Sequence, residues 1–138
     1  MIVYARGAVN HSLVEISRLG YDVVGIDHTV EPAWARQCLA QAQSSNRKFS
    51  EVEVNKGAQH RIAIQGNLDP AILYARPEVI QDRVRRMFQT TTGGFGGQGA
   101  LICNLGQGIT PGVDPDHLRV FLEAVHRVSK EMADNNDD

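Results

Sequence analysis

"ALICNLGQGITPGVDPDHLRVFLEAVHRV", residues 100–128, holds in one stretch the pattern that decides the fold. ALICN (100–104) is an apolar run of strand length. NLGQGITPG (104–112) is a loop with two glycines around one glutamine, and DPDHL opens a helix. Asp114 stands at the capping position and Pro115 in the first turn, where a missing N–H costs nothing. Leu118, Phe121, Leu122, Val125 and Met132 then make one helical stripe. An apolar strand, a glycine loop and an amphipathic helix form one βα unit.

Working outward toward the N-terminus, the same alternation recurs three times. IVYA (2–5) precedes SLVEISRLG, in which Leu13, Ile16 and Leu19 have helical spacing, Ser12 and Glu15 make a capping box, and Gly20 supplies the stop. DVVGID (22–27) precedes EPAWARQCLAQAQ, with Pro32 in the first turn and Trp34, Cys38 and Leu39 on one face. RIAIQ (61–65) precedes RPEVIQDRVRRMF, where Pro77 starts a helix and Ile80, Val84, Met87 and Phe88 face inward. Residues 44–60, SSNRKFSEVEVNKGAQH, show no apolar stripe and read as a polar excursion.

Parallel strands need crossover connections and burial on both faces, so strands alternating with amphipathic helices give an α/β class with a parallel sheet. Two architectures fit four such units: a small open sheet, or part of a (β/α)8 TIM barrel. The strand ends favour the barrel. At or just beyond them lie Arg6, then Asp27 and His28, then Gln65, Asn67 and Asp69, then Asn104 and Gln107. Parallel strands end on one side, so these polar groups converge where such folds place their chemistry. The plainer reading of any one of them is turn chemistry, with Asn67 and Asp69-Pro70 simply bending the chain.

Composition narrows the function classes. At 138 residues the chain suits one domain with a single core. Lys and Arg number 14 against 16 Asp and Glu, a net charge of −2, which leaves no electrostatic footprint for nucleic acid or an anionic membrane surface. No stretch approaches the ~20 apolar residues of a membrane span, and the N-terminus lacks the pattern of a secretory signal. Cys38 and Cys103 lie far apart and form no metal-type pair, so they read as reduced thiols of an intracellular protein, Cys103 as a core residue.

The tempting motifs fail on context. GFGGQG (94–99) matches GxGxxG letter for letter, but it follows a helix and precedes a strand, whereas phosphate binding needs the reverse. Among 5 histidines, His117 and His126 are nine residues apart and turn to opposite sides of a helix, and neither HxxxH nor HxC occurs. There is no GxSxG and no CxxC.

Three ordered segments, GYDVVGIDHTVEP (20–32), IQGNLDPAILYA (64–75) and NLGQGITPGVDPDHLRVFLEAVH (104–126), resemble the C-terminal part of the uroporphyrinogen decarboxylase family. There the segments run close to GYxVVGLDWT, QGNLDPxxLY, and NLGHG followed by xPxxDPxxV. The resemblance runs from MIVYARG to about Val128, with a break at 44–60.

The resemblance implies a (β/α)8 barrel, usually a homodimer in the cytoplasm or a plastid. Its reaction removes the acetate carboxyl groups of uroporphyrinogen to give coproporphyrinogen, on the way to haem, with no metal or organic cofactor. Protonating the pyrrole carbon beside the acetate-bearing position makes a cation that accepts the electrons of the departing carboxylate. The family's arginine-bearing segment, its aspartate under the pyrrole nitrogens, and its tyrosine and serine contacts belong to the earlier part of the barrel. The present chain begins after them.

Gln107 stands where the family has histidine, and His28 where it has tryptophan. Glutamine donates a hydrogen bond to a carboxylate but carries no charge and shuttles no proton near neutral pH. The expectation is a C-terminal half barrel over 1–138 with a polar insertion at about 44–60 and weak or no turnover alone. Gln107, Asn104, Asp27 and Asn67 are its candidate substrate-binding residues; no catalytic or metal-ligating residue is assigned. Two further readings are a non-catalytic module that pairs with an intact subunit, its open strand edges recruiting a partner, and a zinc-dependent methyltransferase of the same wider barrel group. The second lacks the His-x-Cys pair it needs.

Overall fold

The computed structural model describes residues 1–4, 6–7, 10–46, 62–92 and 100–134. The glycine run 94–99, and 47–60 of the polar excursion, lie outside the described residues.

Strands β1 (Ile2–Tyr4), β2 (Val23–Gly25), β3 (Ala63–Leu68) and β4 (Leu101–Leu105) alternate with helices α1 (Asn10–Arg18), α2 (Pro32–Asn46), α3 (Pro77–Thr92) and α4 (Pro115–Asp134). The strands form one parallel sheet in the order β1-β2-β3-β4. Register aligns Tyr4 with Gly25, Gly25 with Gln65, Gln65 with Ile102, and Asn67 with Asn104.

A doubly wound sheet reverses its strand order and carries helices on both faces. Here the order is sequential, and the helices line one face. Val3, Val24, Ile26, Ile62 and Ile64 pack under α1 and α2 together with Leu13, Ala35 and Leu39. Leu68, Leu101, Cys103 and Leu105 pack under α3 and α4 with Ile80, Val84, Phe88, Phe121 and Val128. The opposite face is open: Ile2 is 52% exposed and Tyr4 49%, while Ile102 and Asn104 alternate outward from buried or half-buried neighbours along β4. This is the arrangement of a (β/α)8 arc, with the helix layer outside and the open face toward the barrel axis.

Most of the expected stripes form. Ile80, Val84, Met87 and Phe88 are buried on α3, as are Cys38 and Leu39 on α2, with Trp34 packed beside them. Asp114 caps α4 through its Oδ1, which accepts from the Asp116 N–H at 2.8 Å. Gly20 ends the α1 segment with φ +78°, a conformation that glycine adopts without the usual Cβ penalty.

Five expectations are corrected. α1 begins at Asn10, so Ser12 lies within its first turn and not at the cap, and Glu15 pairs with Arg18 at 2.8 Å. Leu19, one residue past the helix, is 66% exposed. On α4 the buried line runs Phe121, Ala124, Val128, which turns Leu122 to 49% exposure. β3 continues to Leu68, so Gln65 and Asn67 sit inside the strand and not beyond it. Residues 44–46, assigned to the excursion, continue α2.

Candidate functional site

The loop after β4 is held from three sides at Gly106. Its N–H donates to the Leu68 carbonyl at 2.7 Å, and its carbonyl accepts from the Tyr4 hydroxyl at 2.9 Å. Its Cα faces the His28 backbone so closely that a Cβ would stand 2.8 Å from both Cα and Cβ of His28, and closer still to the His28 nitrogen. Gly108, by contrast, has nothing within 4 Å of where a Cβ would point. The first glycine around Gln107 is therefore required by close packing, and the second is not.

Tyr4 reaches the loop across the open face of the sheet. Its ring passes over Gly25, where a Cβ would meet Tyr4 Cδ2 at 2.9 Å and Tyr4 Cβ at 3.2 Å. A tyrosine at the tip of the first strand thus anchors the loop after the last.

Asp27, at the end of the β2 segment, is 3% exposed, and both its carboxylate oxygens are engaged. Oδ1 accepts from the Thr29 N–H at 2.8 Å and from the Thr29 hydroxyl; Oδ2 accepts from the Gly7 N–H at 2.5 Å. The Thr29 hydroxyl holds the carboxyl below its ordinary pKa, against the opposing effect of burial, with the Gly7 and Thr29 N–H groups and His28 adding to the lowering. Asn67 serves the same connection: its Nδ2 donates to the Asp27 carbonyl at 2.9 Å and the Val30 carbonyl at 2.7 Å. These two polar residues fix the loop between β2 and α2.

Asn104 and Gln107 face elsewhere. With Tyr4, Gln65, Ile109 and Leu118 they line a cavity of about 450 Å³ at the C-terminal ends of the strands. Asn104 Oδ1 accepts from the Leu105 N–H at 2.9 Å. Its Nδ2, and the side-chain amides of Gln65 and Gln107, have no protein partner among the described residues. Three amides that can donate, two of which can also accept, therefore converge on one concavity whose described lining carries no charged side chain. Asn67 lines a different cavity, about 420 Å³, with His28, Glu31, Asp69, Arg83 and Arg86. The four expected residues thus sit at one end of the sheet, two toward the cavity beside Tyr4 and two toward the supporting loops.

The remaining polar groups of the motifs brace the rim. Asp69 caps a 3₁₀ turn, Pro70–Tyr74, through the Ala71 N–H at 2.9 Å. Tyr74 donates to the Pro111 carbonyl at 2.8 Å and bonds Thr110 Oγ1 at 2.9 Å, and His117 Nδ1 lies 2.7 Å from the Leu73 carbonyl. His126 is exposed. Among the described residues no three His, Cys, Asp or Glu side chains come together as a metal would require, and no helix is long and apolar enough to cross a membrane.

A family profile for uroporphyrinogen decarboxylase matches residues 1–128. The chain belongs to the uroporphyrinogen decarboxylase family. Uroporphyrinogen decarboxylase of Schizosaccharomyces pombe is 41% identical over 127 residues, covering 92% of this chain and 29% of its own length. That of Vesicomyosocius okutanii is 43% identical over 119 residues (86% of this chain, 28% of its own length), and that of Homo sapiens 34% over 135 (98% and 30%). The chain therefore spans under a third of the length of these relatives.

Family membership and geometry agree on the motifs. The NLGQG loop, QGNLDP and GIDHT meet in space: Gly106 bonds Leu68 and packs on His28, while Asn67 bonds the Asp27 carbonyl. Sequence reasoning missed Tyr4, which looked like one more apolar member of a strand. The available signal was Gly25, whose register opposite Tyr4 leaves room for a ring to lie across the sheet.

Proposed function

We propose that this chain forms the C-terminal half of a uroporphyrinogen decarboxylase barrel, with a polar insertion between α2 and β3, and supplies one wall of its porphyrinogen pocket. The reaction removes acetate carboxyl groups from uroporphyrinogen III to give coproporphyrinogen III in haem biosynthesis. The observation that carries this reading is the convergence of the Gln65, Asn104 and Gln107 amides on one cavity, at the strand ends where barrel enzymes hold substrate.

In this reading Gln107 donates an amide hydrogen bond to a substrate carboxylate, and Asn104 supports it from the strand tip. Asp27 and Asn67 act from behind, holding the loop on which Gly106 rests. A carboxamide neither protonates the pyrrole carbon nor balances the cation that forms, and the described lining of the cavity carries no charged side chain, so in this reading the charge-stabilising groups lie elsewhere in the barrel. Little or no turnover by the chain alone follows. Incubating it with uroporphyrinogen III and resolving the products by carboxyl number tests this; turnover at a rate typical of a complete decarboxylase contradicts it. A homodimeric, cytoplasmic assembly without nucleic-acid partners accompanies the family reading.

The open face supports a second reading, a partial-barrel module that docks on further strands. Ile2, Tyr4 and Ile102 are exposed on it, and β1 and β4 end the sheet without neighbours among the described strands. Gel filtration decides between them: a stable monomer at micromolar concentration speaks against docking.

A further inference from the structure

We infer that Tyr4 is a positioning residue for Gln107, acting through the Gly106 carbonyl; the functional part of this inference rests on the proposed pocket. β1 and β4 are not neighbours in the sheet, yet a hydrogen bond spans residues 102 apart in sequence to join β1 to the loop after β4. Gly25 leaves room for the Tyr4 ring to cross between them. The bond falls on the peptide that leads into Gln107, whose own amide has no protein partner among the described residues. The Gly106 N–H and Cα are fixed by β3 and by the His28 backbone, so the Tyr4 hydroxyl sets the remaining freedom, the tilt of the Gly106–Gln107 peptide. That tilt aims the Gln107 side chain. Tyr4 also lines the cavity, which places the anchor and the side chain it aims on one wall.

The test separates the hydroxyl from the ring. Tyr4→Phe keeps the packing over Gly25 and deletes only the donor, and the full chain is studied with two readouts. Hydrogen exchange at the Gly106 amide is expected to rise about fivefold while Val24 and Ile64 are unchanged. Exchange that is unchanged at Gly106, or raised equally across the sheet, overturns the assignment. In the second readout, titration with uroporphyrin III is expected to show about fivefold weaker binding for Tyr4→Phe and no further weakening when Tyr4→Phe is added to Gln107→Ala. Equal weakening in both backgrounds also overturns it, because a purely structural tyrosine would act regardless of Gln107. If the parent chain binds no uroporphyrin while Gly106 exchange rises locally in Tyr4→Phe, the pocket reading fails and the anchoring of the loop by Tyr4 stands.

Discussion

Replacing Gly106 by alanine tests whether the rim is as tightly assembled as its geometry indicates. The new methyl carbon would stand 2.8 Å from the Cα and Cβ of His28 and against its nitrogen. These are mainly backbone atoms on a loop already fixed through Asp27 and Asn67, so the neighbour has little room to yield. Overpacking of this kind costs about 1–3 kcal/mol. If the loop moves away instead, it gives up the bonds of Gly106 to Leu68 and Tyr4, at about 1 kcal/mol each. Either route gives a loss of about 2 kcal/mol, a drop in melting temperature on the order of 5–10 °C for a domain of this size. Gly108→Ala is the internal control: nothing lies within 4 Å of its Cβ position, so its melt should match the parent or rise slightly. Thermal and urea unfolding followed by circular dichroism measure both. A Gly106→Ala melt within about 2 °C of the parent, or equal losses at both glycines, would refute the close-approach argument.

Three further outcomes follow from the same contacts. Asp27→Asn, which places an amide donor against N–H donors, should cost about 1–3 kcal/mol at pH 7. Because the native carboxyl titrates below its ordinary value, its contribution is present above about pH 4 and fades as pH falls through the lower native pKa, so urea melts of parent and variant should converge toward pH 2. Burial pushes the Cys103 thiol up to about 12, so iodoacetamide at pH 8 should label it slowly in the folded chain and readily in urea; equal rates would contradict its placement against the α3 and α4 core. Arg36 donates to the Ile62 carbonyl at 2.8 Å and the Ala100 carbonyl at 3.2 Å, tying the residues that lead into β3 and β4, and Arg36→Met should lower stability by about 2 kcal/mol in urea titration; an unchanged midpoint would contradict that role.

The helices were legible because their faces are. Pro77 and Pro115 mark true first turns, and the α3 stripe of Ile80, Val84, Met87 and Phe88 needs only the 3.6-residue period. Leu122 misled because a stripe read one residue too wide still looks apolar, and only the packing of Ala124 and Val128 shows where its centre lies. QGNLDP misled in the opposite sense: glycine, asparagine and aspartate favour turns, yet Gly66 and Asn67 pair with Cys103 and Asn104 as strand. Tertiary pairing overrode local preference there. The sequence placed the candidate residues at the C-terminal ends of the strands, and there they lie, but it carries no information on which way a polar side chain turns once there. Asp27 and Asn67 spend their hydrogen bonds on loop backbone, and the anchoring role of Tyr4 depends on a contact 102 residues away.

The two apolar clusters are distinct, one under α1 and α2 and the other under α3 and α4, and β3 contributes Ile64 to the first and Leu68 to the second. The chain is thus built as two packed halves that share one strand, and its rim works as a row of stitches across the seam: Tyr4 to Gly106, Asn67 to Asp27, Gly106 against His28. A molecule seated between Tyr4 and Gln107 would touch residues carried by both halves of the sheet at once. Such a ligand would make the two halves melt as one, and the sharpness of the unfolding transition would report occupancy even where its midpoint moved little.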